Sequence, residues 1–198
     1  CVVASRSLVG FPHYQQFMDI LEKQDFVEAV SPVIRSYALV TTAGSEQGIG
    51  VEIMGIDPVL HSEVTGFAKT LYYHRGDPNE AFRYSPKQNA YGCVLGINLV
   101  ISPDARGRYH HTLRPYPTVL VVSCFPLTAR GALARAGTAL VSSKQFYYGD
   151  TSESGLARVD TSMIYLPFEQ AQLLCGMADG EKRVSSPVSY THLRAPRD

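Results

Sequence analysis

The sequence lacks an excess of charge of either sign. Its 198 residues carry 18 basic and 18 acidic side chains, so the formal net charge at neutral pH is +0. A balanced chain gives no electrostatic reason to expect nucleic acid or an anionic membrane surface as the main partner. We therefore expect no nucleic-acid partner.

Long apolar runs are also missing. The longest, TVLVVSCF at residues 118–125, has the length of a buried strand. It falls well short of the ~18 to 20 apolar residues that cross a bilayer. The sequence also contains no basic segment followed by an apolar one, which is the pattern of a signal peptide. Hydrophobic residues still make up 45% of the chain and charged residues 18%, which is typical of a folded globular protein.

Cysteine is scarce. The four cysteines are Cys1, Cys93, Cys124 and Cys175, and no two of them form a C-x-x-C pair. The last three lie among apolar residues, which favours buried free thiols. A single bridge between Cys93 and Cys124 is the alternative, and the spacing alone does not decide between them.

The two ends of the sequence differ from the rest. The chain begins at Cys1 and not at methionine, so we expect a fragment or a processed product. After Arg183 the composition changes abruptly, and SSPVSYTHLRAPRD resembles translated sequencing-adapter readthrough. We therefore expect residues 1–186 to form one domain and residues 187–198 to be a non-native tail, which we leave out of the fold prediction.

The first third of the chain predicts one helix and a β-hairpin. Apolar residues recur on one helical face over residues 12–24, and Pro12 suits the first helical position. Two strand-like runs then flank GSEQG at residues 44–48, which has the composition of a hairpin turn.

The returning strand of that hairpin ends in VEIMGIDP, residues 51–58. Alternation predicts that Val51 and Ile53 face one side of a sheet and Glu52 the other. We predict a corner after this strand, because Gly55 has backbone freedom and the Asp57-Pro58 pair favours a turn.

The remaining segments predict further helices and strands in separate blocks, which favours an α+β fold over a doubly wound one. They are a short helix at 59–66, an irregular stretch at 69–89, a strand or short helix at 91–101, a strand at 118–125, a helix or loop at 126–142, a strand, polar turn and strand over 143–168, and a helix from Pro167 to Gly176.

Motifs that carry chemistry are absent or incomplete. GSEQGIG lacks the spacing of a phosphate-binding loop, and TSESG lacks the frame of a nucleophile elbow. His110 and His111 lie among three arginines and could contact phosphates or lipid headgroups, but the sequence favours a solvated loop. No pattern places Asp150, Glu153 and Asp160 on one rigid element. We predict no catalytic, cofactor or metal site, and no enzyme activity.

The order of the segments and a closing block resemble the periplasmic core domain of FtsX-like ABC transporter permeases, a family that includes MacB, LolC and LolE. The closing block is VDTSMIYLPFEQAQLLCGM, and it follows GVEIMGIDP and GCVLGINLV along the chain. Residues 69–90 and 102–146 do not align with the family. The positions that match its structural motifs are Gly55, Asp57, Pro58, Gly96, Asp160, Tyr165, Pro167 and Gln172.

The resemblance implies a mixed sheet with flanking helices and an inserted smaller lobe. It also implies the periplasmic segment of an inner-membrane permease, standing between two transmembrane helices and transmitting ATP-driven motion for export or lipoprotein release. ATP would be hydrolysed by a cytoplasmic ATP-binding cassette subunit or domain, since this chain has no Walker motifs. Further implied partners are a second permease copy and a periplasmic adaptor or lipoprotein.

Two other functional classes stay open. One is a stand-alone extracytoplasmic lipoprotein or binding module whose mature end is Cys1. The other is a hydrolase, which would gather His110 or His111 with a Ser or Cys and a carboxylate. If the chain does bind partner proteins, the pairs Tyr72-Tyr73 and Tyr147-Tyr148 are candidates for the contact face, although ordinary half-buried tyrosines would look the same.

Overall fold

A computed structural model describes residues 9–42, 45, 47–83, 90–110, 115, 117–126, 141–178 and 180–191. Within these residues, seven strands form one mixed sheet, and five α-helices flank it. The α+β class and the mixed sheet with flanking helices are therefore confirmed.

The strands are β1 (Val27–Thr42), β2 (Ile49–Ile56), β3 (Gly92–Gly96), β4 (Val119–Cys124), β5 (Ser142–Ser152), β6 (Met163–Pro167) and β7 (Ser186–Thr191). The α-helices are α1 (Tyr14–Glu22), α2 (Pro58–Thr65), α3 (Ile97–Val100), α4 (Ala157–Ser162) and α5 (Phe168–Leu174). Two short 3₁₀ helices cover Phe67–Lys69 and Glu80–Phe82.

The sheet is organised around β1. Its strand order is β2-β6-β3-β5-β4-β1-β7, and β1 also pairs with β2, so the first six strands close on themselves. The β1–β2, β1–β4 and β4–β5 pairs are antiparallel, whereas β2–β6 and β3–β5 are parallel. β7 runs along the first half of β1 and contains residues 187–191, which the fold prediction left out. The domain boundary at residue 186 stays a prediction.

Both faces of the sheet carry buried apolar side chains. Val51 and Ile53 belong to the larger cluster, which includes side chains of α5, and Met54 belongs to a second cluster built with Phe67 and Phe82. Glu52 lies on the same face as Met54, so the predicted alternation along β2 is confirmed. The described strands form no second sheet, and residues 67–82 pack against the second face.

The N-terminal helix begins later than the sequence predicts. α1 starts at Tyr14, and His13 before it has a left-handed backbone, with φ of 59°. Pro12 is therefore not the first helical residue, and that prediction is wrong. The reason is tertiary: Phe11 forms a β-bridge with Val184, which keeps the preceding backbone extended.

Most of the other predicted elements are present. β1 and β2 form the antiparallel hairpin, although residues 44 and 46 of its turn lie outside the described residues. The ambiguous segment 91–101 contains both alternatives, a strand followed by a short helix. The predicted polar turn between β5 and β6 includes helix α4. Residues 127–140, ambiguous between helix and loop, also lie outside the described residues.

Gly55 is required by packing, and not by the backbone freedom that we expected. It lies inside β2 and its φ is not positive. A Cβ atom at this position would collide with the Cβ of Ala171 on α5, and it would lie 3.1 Å from the Cβ of Ile34. Glycine therefore allows α5 to approach the sheet closely.

The three described cysteines are buried free thiols, as predicted. Cys124 lies beside Cys175 and not beside Cys93: the two sulfur atoms are 4.0 Å apart, and Cys124 Sγ also donates to the carbonyl of Leu174 at 3.2 Å. Burial raises the pKa of Cys93. The hydrogen bond with Cys124, together with burial, raises the pKa of Cys175.

Replacement of Gly55 by alanine should destabilise the domain by about 1–3 kcal/mol, the usual cost of overpacking a well-packed contact. Urea unfolding of the folded chain measures this change. Gly50→Ala is the matched control, because Gly50 lies in the same strand and a Cβ there would meet nothing within 4 Å. Equal stabilities of the two variants would contradict the packing role of Gly55.

In a Cys1→Ser background, the remaining thiols should not react with a disulfide reagent at pH 8 while the protein is folded. Thiolates are the reactive form. The pKa is raised for Cys93 and Cys175, and all three sulfur atoms, that of Cys124 included, are buried away from the reagent. Three thiols per chain should react once guanidinium unfolds the protein. Rapid labelling of any of these thiols in the folded state would contradict their burial.

Candidate functional site

The corner after β2 is built by the Asp57 side chain. Asp57 Oδ1 accepts hydrogen bonds from the backbone amides of Val59 and Leu60, each at 3.0 Å, and Pro58 occupies the first turn of α2. This arrangement satisfies two amides that have no partner within the helix. Gly66, with φ of 74°, ends α2 in the left-handed conformation that glycine favours.

Gly96 and Asp160, both matched by the family motif, lie in contact. A Cβ atom on Gly96 would meet the carbonyl oxygens of Val159 and Asp160 at 2.6 Å. The buried carboxylate of Asp160 accepts from the amide and hydroxyl of Ser154, at 2.9 and 2.8 Å, and from the amide of Gly155 at 3.0 Å. These two residues therefore fix α4 against the end of β3.

Pro167 and Gln172 organise the step from β6 into α5. Pro167 pairs with Ile56 across the parallel β2–β6 contact and occupies the N-cap position of α5. Gln172 is buried, and its Nε2 donates to the carbonyl of Arg183 at 2.9 Å. α5 is thereby joined to the chain that leaves it.

Tyr165, the last motif residue, lies in β6 under the second hydrophobic cluster. Its ring centroid is 4.7 Å from that of Phe67. Burial raises the pKa of Tyr165 to about 12, and the hydrogen bond with Ser152 opposes that rise. At neutral pH the side chain is therefore a neutral phenol that packs and donates.

Asp150, which the sequence offered only as an acid/base candidate without a supporting pattern, is a structural carboxylate. It is fully buried, and it accepts hydrogen bonds from the amides of Tyr72, Tyr73, His74 and Thr151 at 2.7–3.1 Å. The Nδ1 atom of His74 lies 3.1 Å from it as well. A carboxylate bound in this way holds the segment after β-bridge residue Leu71 to strand β5, and its oxygens are occupied by amides.

Glu52 forms an ion cluster that sequence reasoning missed. This glutamate is 8% exposed. Arg158 Nη2 donates to its Oε2 at 3.1 Å, and Arg35 Nε lies 3.7 Å from its Oε1. Arg158 is 106 positions away from Glu52 in the chain, so no local pattern could have indicated the contact.

The basic loop does not assemble the site of a hydrolase in the described residues. His110 Nε2 lies 3.2 Å from Asp104 Oδ2, and the same carboxylate accepts from the amides of Arg106 and Arg108. These hydrogen bonds, that of the Arg108 amide first, lower the pKa of Asp104. The imidazole of His110 is exposed and contacts no described Ser or Cys, and His111 lies outside the described residues.

The two tyrosine pairs differ in exposure. Tyr72 and Tyr73 are 53% and 37% exposed, and their rings contact edge to face at 4.8 Å. Tyr148 is 1% exposed, so the hypothesis that it belongs to a partner-binding face is wrong. Tyr148 faces the core because it alternates with Tyr147 along β5.

The described residues contain neither a metal-binding cluster nor a membrane-spanning helix. No group of three His, Cys, Asp or Glu side chains there is placed to hold a metal ion. None of the described helices has the length and apolar character needed to span a bilayer.

The fold is similar to that of two solved transporter domains. The periplasmic region of MacB from Actinobacillus actinomycetemcomitans matches with a TM-score of 0.50 and 11% identity, over 98% of this chain and 74% of that one. The extracellular domain of the noncanonic ABC-type transporter YknZ from Gram-positive bacteria matches with a TM-score of 0.49 and 12% identity, over 96% and 82% of the two chains.

Sequence comparison adds no relative. No family model matches the chain, and no curated protein matches it. The chain has the fold of the MacB periplasmic region at a level of identity where only the arrangement of helices and strands is shared.

Proposed function

We propose that this chain is the extracytoplasmic domain of an ABC transporter permease subunit, and that it transmits ATP-driven motion for export or lipoprotein release. The observation that carries the proposal is the fold shared with the periplasmic region of MacB over 98% of the chain. Under this proposal an ATP-binding cassette subunit or domain acts from the cytoplasm, two permease copies work together, and the whole protein lies in the inner membrane.

The segment that leads into α1 (the incoming segment) lies beside the segment between α5 and β7 (the outgoing segment), which supports the proposal. The amide of Phe11 donates to the carbonyl of Val184 at 2.9 Å, and the amide of Val184 donates back at 3.2 Å. The Arg183 guanidinium adds hydrogen bonds to the carbonyls of Val9 at 3.0 Å and Gly176 at 2.5 Å. A domain carried between two membrane helices needs such a joint, because both helices must move it from one place.

Motion is passed on only by a domain that does not deform, and the described core has features of a stiff body. Six strands close on themselves, and buried carboxylates hold surface segments to the sheet. Close-packed interiors resist compression and transmit strain. The differential contacts that drive the motion would then lie in the membrane helices and at the partner surfaces.

A stand-alone extracytoplasmic binding module is the second candidate function. The observation that favours it is a cavity of about 330 Å³ beside α2, since a chain that only transmits motion needs no such space. The complete open reading frame separates the two candidates. Bilayer-crossing segments on both sides of this region support the permease, and their absence from the frame would exclude it.

In the complete permease, Arg183→Ala should uncouple transport from ATP hydrolysis. Loss of the guanidinium frees the joint between the incoming and outgoing segments, so the domain no longer follows the membrane helices. In proteoliposomes containing the ATP-binding cassette partner, we expect export to fall about tenfold or more while ATP hydrolysis stays within about twofold, a difference of about 1.4 kcal/mol in coupling.

The matched control for this experiment is Lys182→Ala, which removes a neighbouring exposed cation and none of the hydrogen bonds of Arg183. Export should be unchanged in the control. Unchanged export in Arg183→Ala would contradict the role of the joint in transport.

Asp150→Asn should loosen the surface segment that the carboxylate holds. The amide nitrogen of asparagine would face backbone N–H groups, which leaves buried donors without an acceptor. We expect a loss of about 1–3 kcal/mol in the free energy of unfolding, with faster hydrogen exchange at the amides of Tyr72, Tyr73 and His74. Asp77→Asn, on the exposed part of the same segment, is the control. Equal hydrogen-exchange rates in the two variants would contradict the role of Asp150 in holding this segment.

A further inference from the structure

The cavity of about 330 Å³ beside α2 has an apolar body. It lies on the face of the sheet that carries the second hydrophobic cluster, between β1, β2, β6, β7 and α2. Its volume is at the small end of the ~300–1,000 Å³ that ligand pockets occupy. The side chains that form its body are Val33, Met54, Phe67, Val159, Tyr165 and Val188.

One side chain in the described lining carries a charge at neutral pH, and it is Arg35. Its side chain is 49% exposed, which places it at the rim and not at the floor. Its Nε atom lies 3.7 Å from Oε1 of Glu52, which is too far for a hydrogen bond. The guanidinium therefore forms an ion pair with Glu52 but makes no hydrogen bond to a described residue. The planar guanidinium therefore keeps its donors for a further acceptor.

The ion pair with Glu52 does not cancel the charge of Arg35. Glu52 already accepts a hydrogen bond from Arg158 at 3.1 Å, so one carboxylate is shared between two guanidinium groups. The cluster carries a net positive charge beside the cavity. Arg158 does not line this cavity, so the surplus positive charge of the cluster acts on the cavity through Arg35.

His61 adds polarity to the cavity without adding charge. It is 5% exposed and lines the cavity wall. Burial, followed by the nearby charge of Arg35, lowers the pKa of His61 to about 4, so the imidazole is neutral at pH 7. Its buried Nδ1 has no hydrogen-bond partner among the described residues. Unsatisfied buried polar atoms are uncommon in folded proteins, and they often mark functional places.

We propose that this cavity binds a small amphipathic anion, with an apolar body among the side chains of the second cluster and a carboxylate or similar acidic group on Arg35. A neutral or cationic ligand would leave the donors of the half-exposed Arg35 to water and would gain no charge-assisted hydrogen bond. The site would bind such an anion whether or not the domain moves as part of a permease.

Three ligands of one chain length test the charge preference. Isothermal calorimetry at pH 7 and low salt compares decanoate, decanol and decyltrimethylammonium on the folded chain. Decanoate should bind about tenfold or more tightly than decyltrimethylammonium. Equal binding of the two ions, or no binding of decanoate at millimolar concentration, would overturn the proposal.

Variants then locate the site. Arg35→Gln should weaken decanoate binding about tenfold or more and leave decanol binding within about twofold. Glu52→Gln should tighten decanoate binding, because it removes the competing carboxylate. Arg106→Gln is the control, because Arg106 is an exposed arginine that does not line this cavity, and decanoate binding should stay within about twofold. Unchanged decanoate binding in Arg35→Gln would overturn the proposal.

A second position keeps the test independent of Arg35. Leu156 is 63% exposed and also lines the cavity, so its replacement costs little stability. Leu156→Asp should repel decanoate and favour decyltrimethylammonium, whereas Leu156→Asn should do neither. If Leu156→Asp and Leu156→Asn bind decanoate alike, the anion is not in this cavity.

Another cavity in the protein makes these variants necessary. It measures about 300 Å³, lies between the β1–β2 hairpin and α3, and has no charged side chain in its described lining. Decanol bound there would not respond to Arg35→Gln or Leu156→Asp. Binding that responds to both Arg35→Gln and Leu156→Asp therefore reports on the cavity beside α2, because neither residue lines the other cavities of the described residues.

Discussion

Hydrogen bonding of β1 to three other strands is the constraint on which the rest of the structure depends. This strand has 16 residues, and it pairs with β2 along one edge and with β4 and β7 along the other. β2 and β4 are also linked to each other through β6, β3 and β5. The pairing of β1 with both of them therefore closes the sheet. Closure removes the exposed edges of six strands. Both faces of the closed sheet also carry buried apolar side chains.

Packing on both faces explains where glycine and buried carboxylates occur. Gly55 and Gly96 lie where α5 and α4 come too close for a side chain, and both contacts involve backbone or Cβ atoms that do not rotate away. Asp150 and Asp160 hold irregular segments to the sheet through backbone amides. The charge of a buried carboxylate is tolerated because several donors replace its lost hydration. The packing is incomplete where α2 leaves the sheet. The space left there is the cavity that His61 lines.

Much of the fold could be predicted from local patterns. The alternation in β2, the amphipathic face of α1 and the Pro167-to-Gly176 helix all depend on neighbours within a few residues, and each is present. The role of Gly55 was predicted wrongly, because its backbone freedom is a local property whereas the contact with Ala171 is not. The neighbour of Cys124 could not be predicted for the same reason: 51 positions separate it from Cys175.

By itself the sequence determined the class of the fold, the hairpin, the corner at Asp57 and the lack of a local catalytic or phosphate-binding motif, because each depends on residue type and short-range spacing. Only the tertiary structure decided which carboxylates are buried, which tyrosines reach solvent, and that Arg35, Glu52 and Arg158 form one charged cluster that reaches the cavity through Arg35. Those properties depend on side chains that meet across strands and helices distant in the chain, and the free energy of a buried charge is set by the partners it finds there.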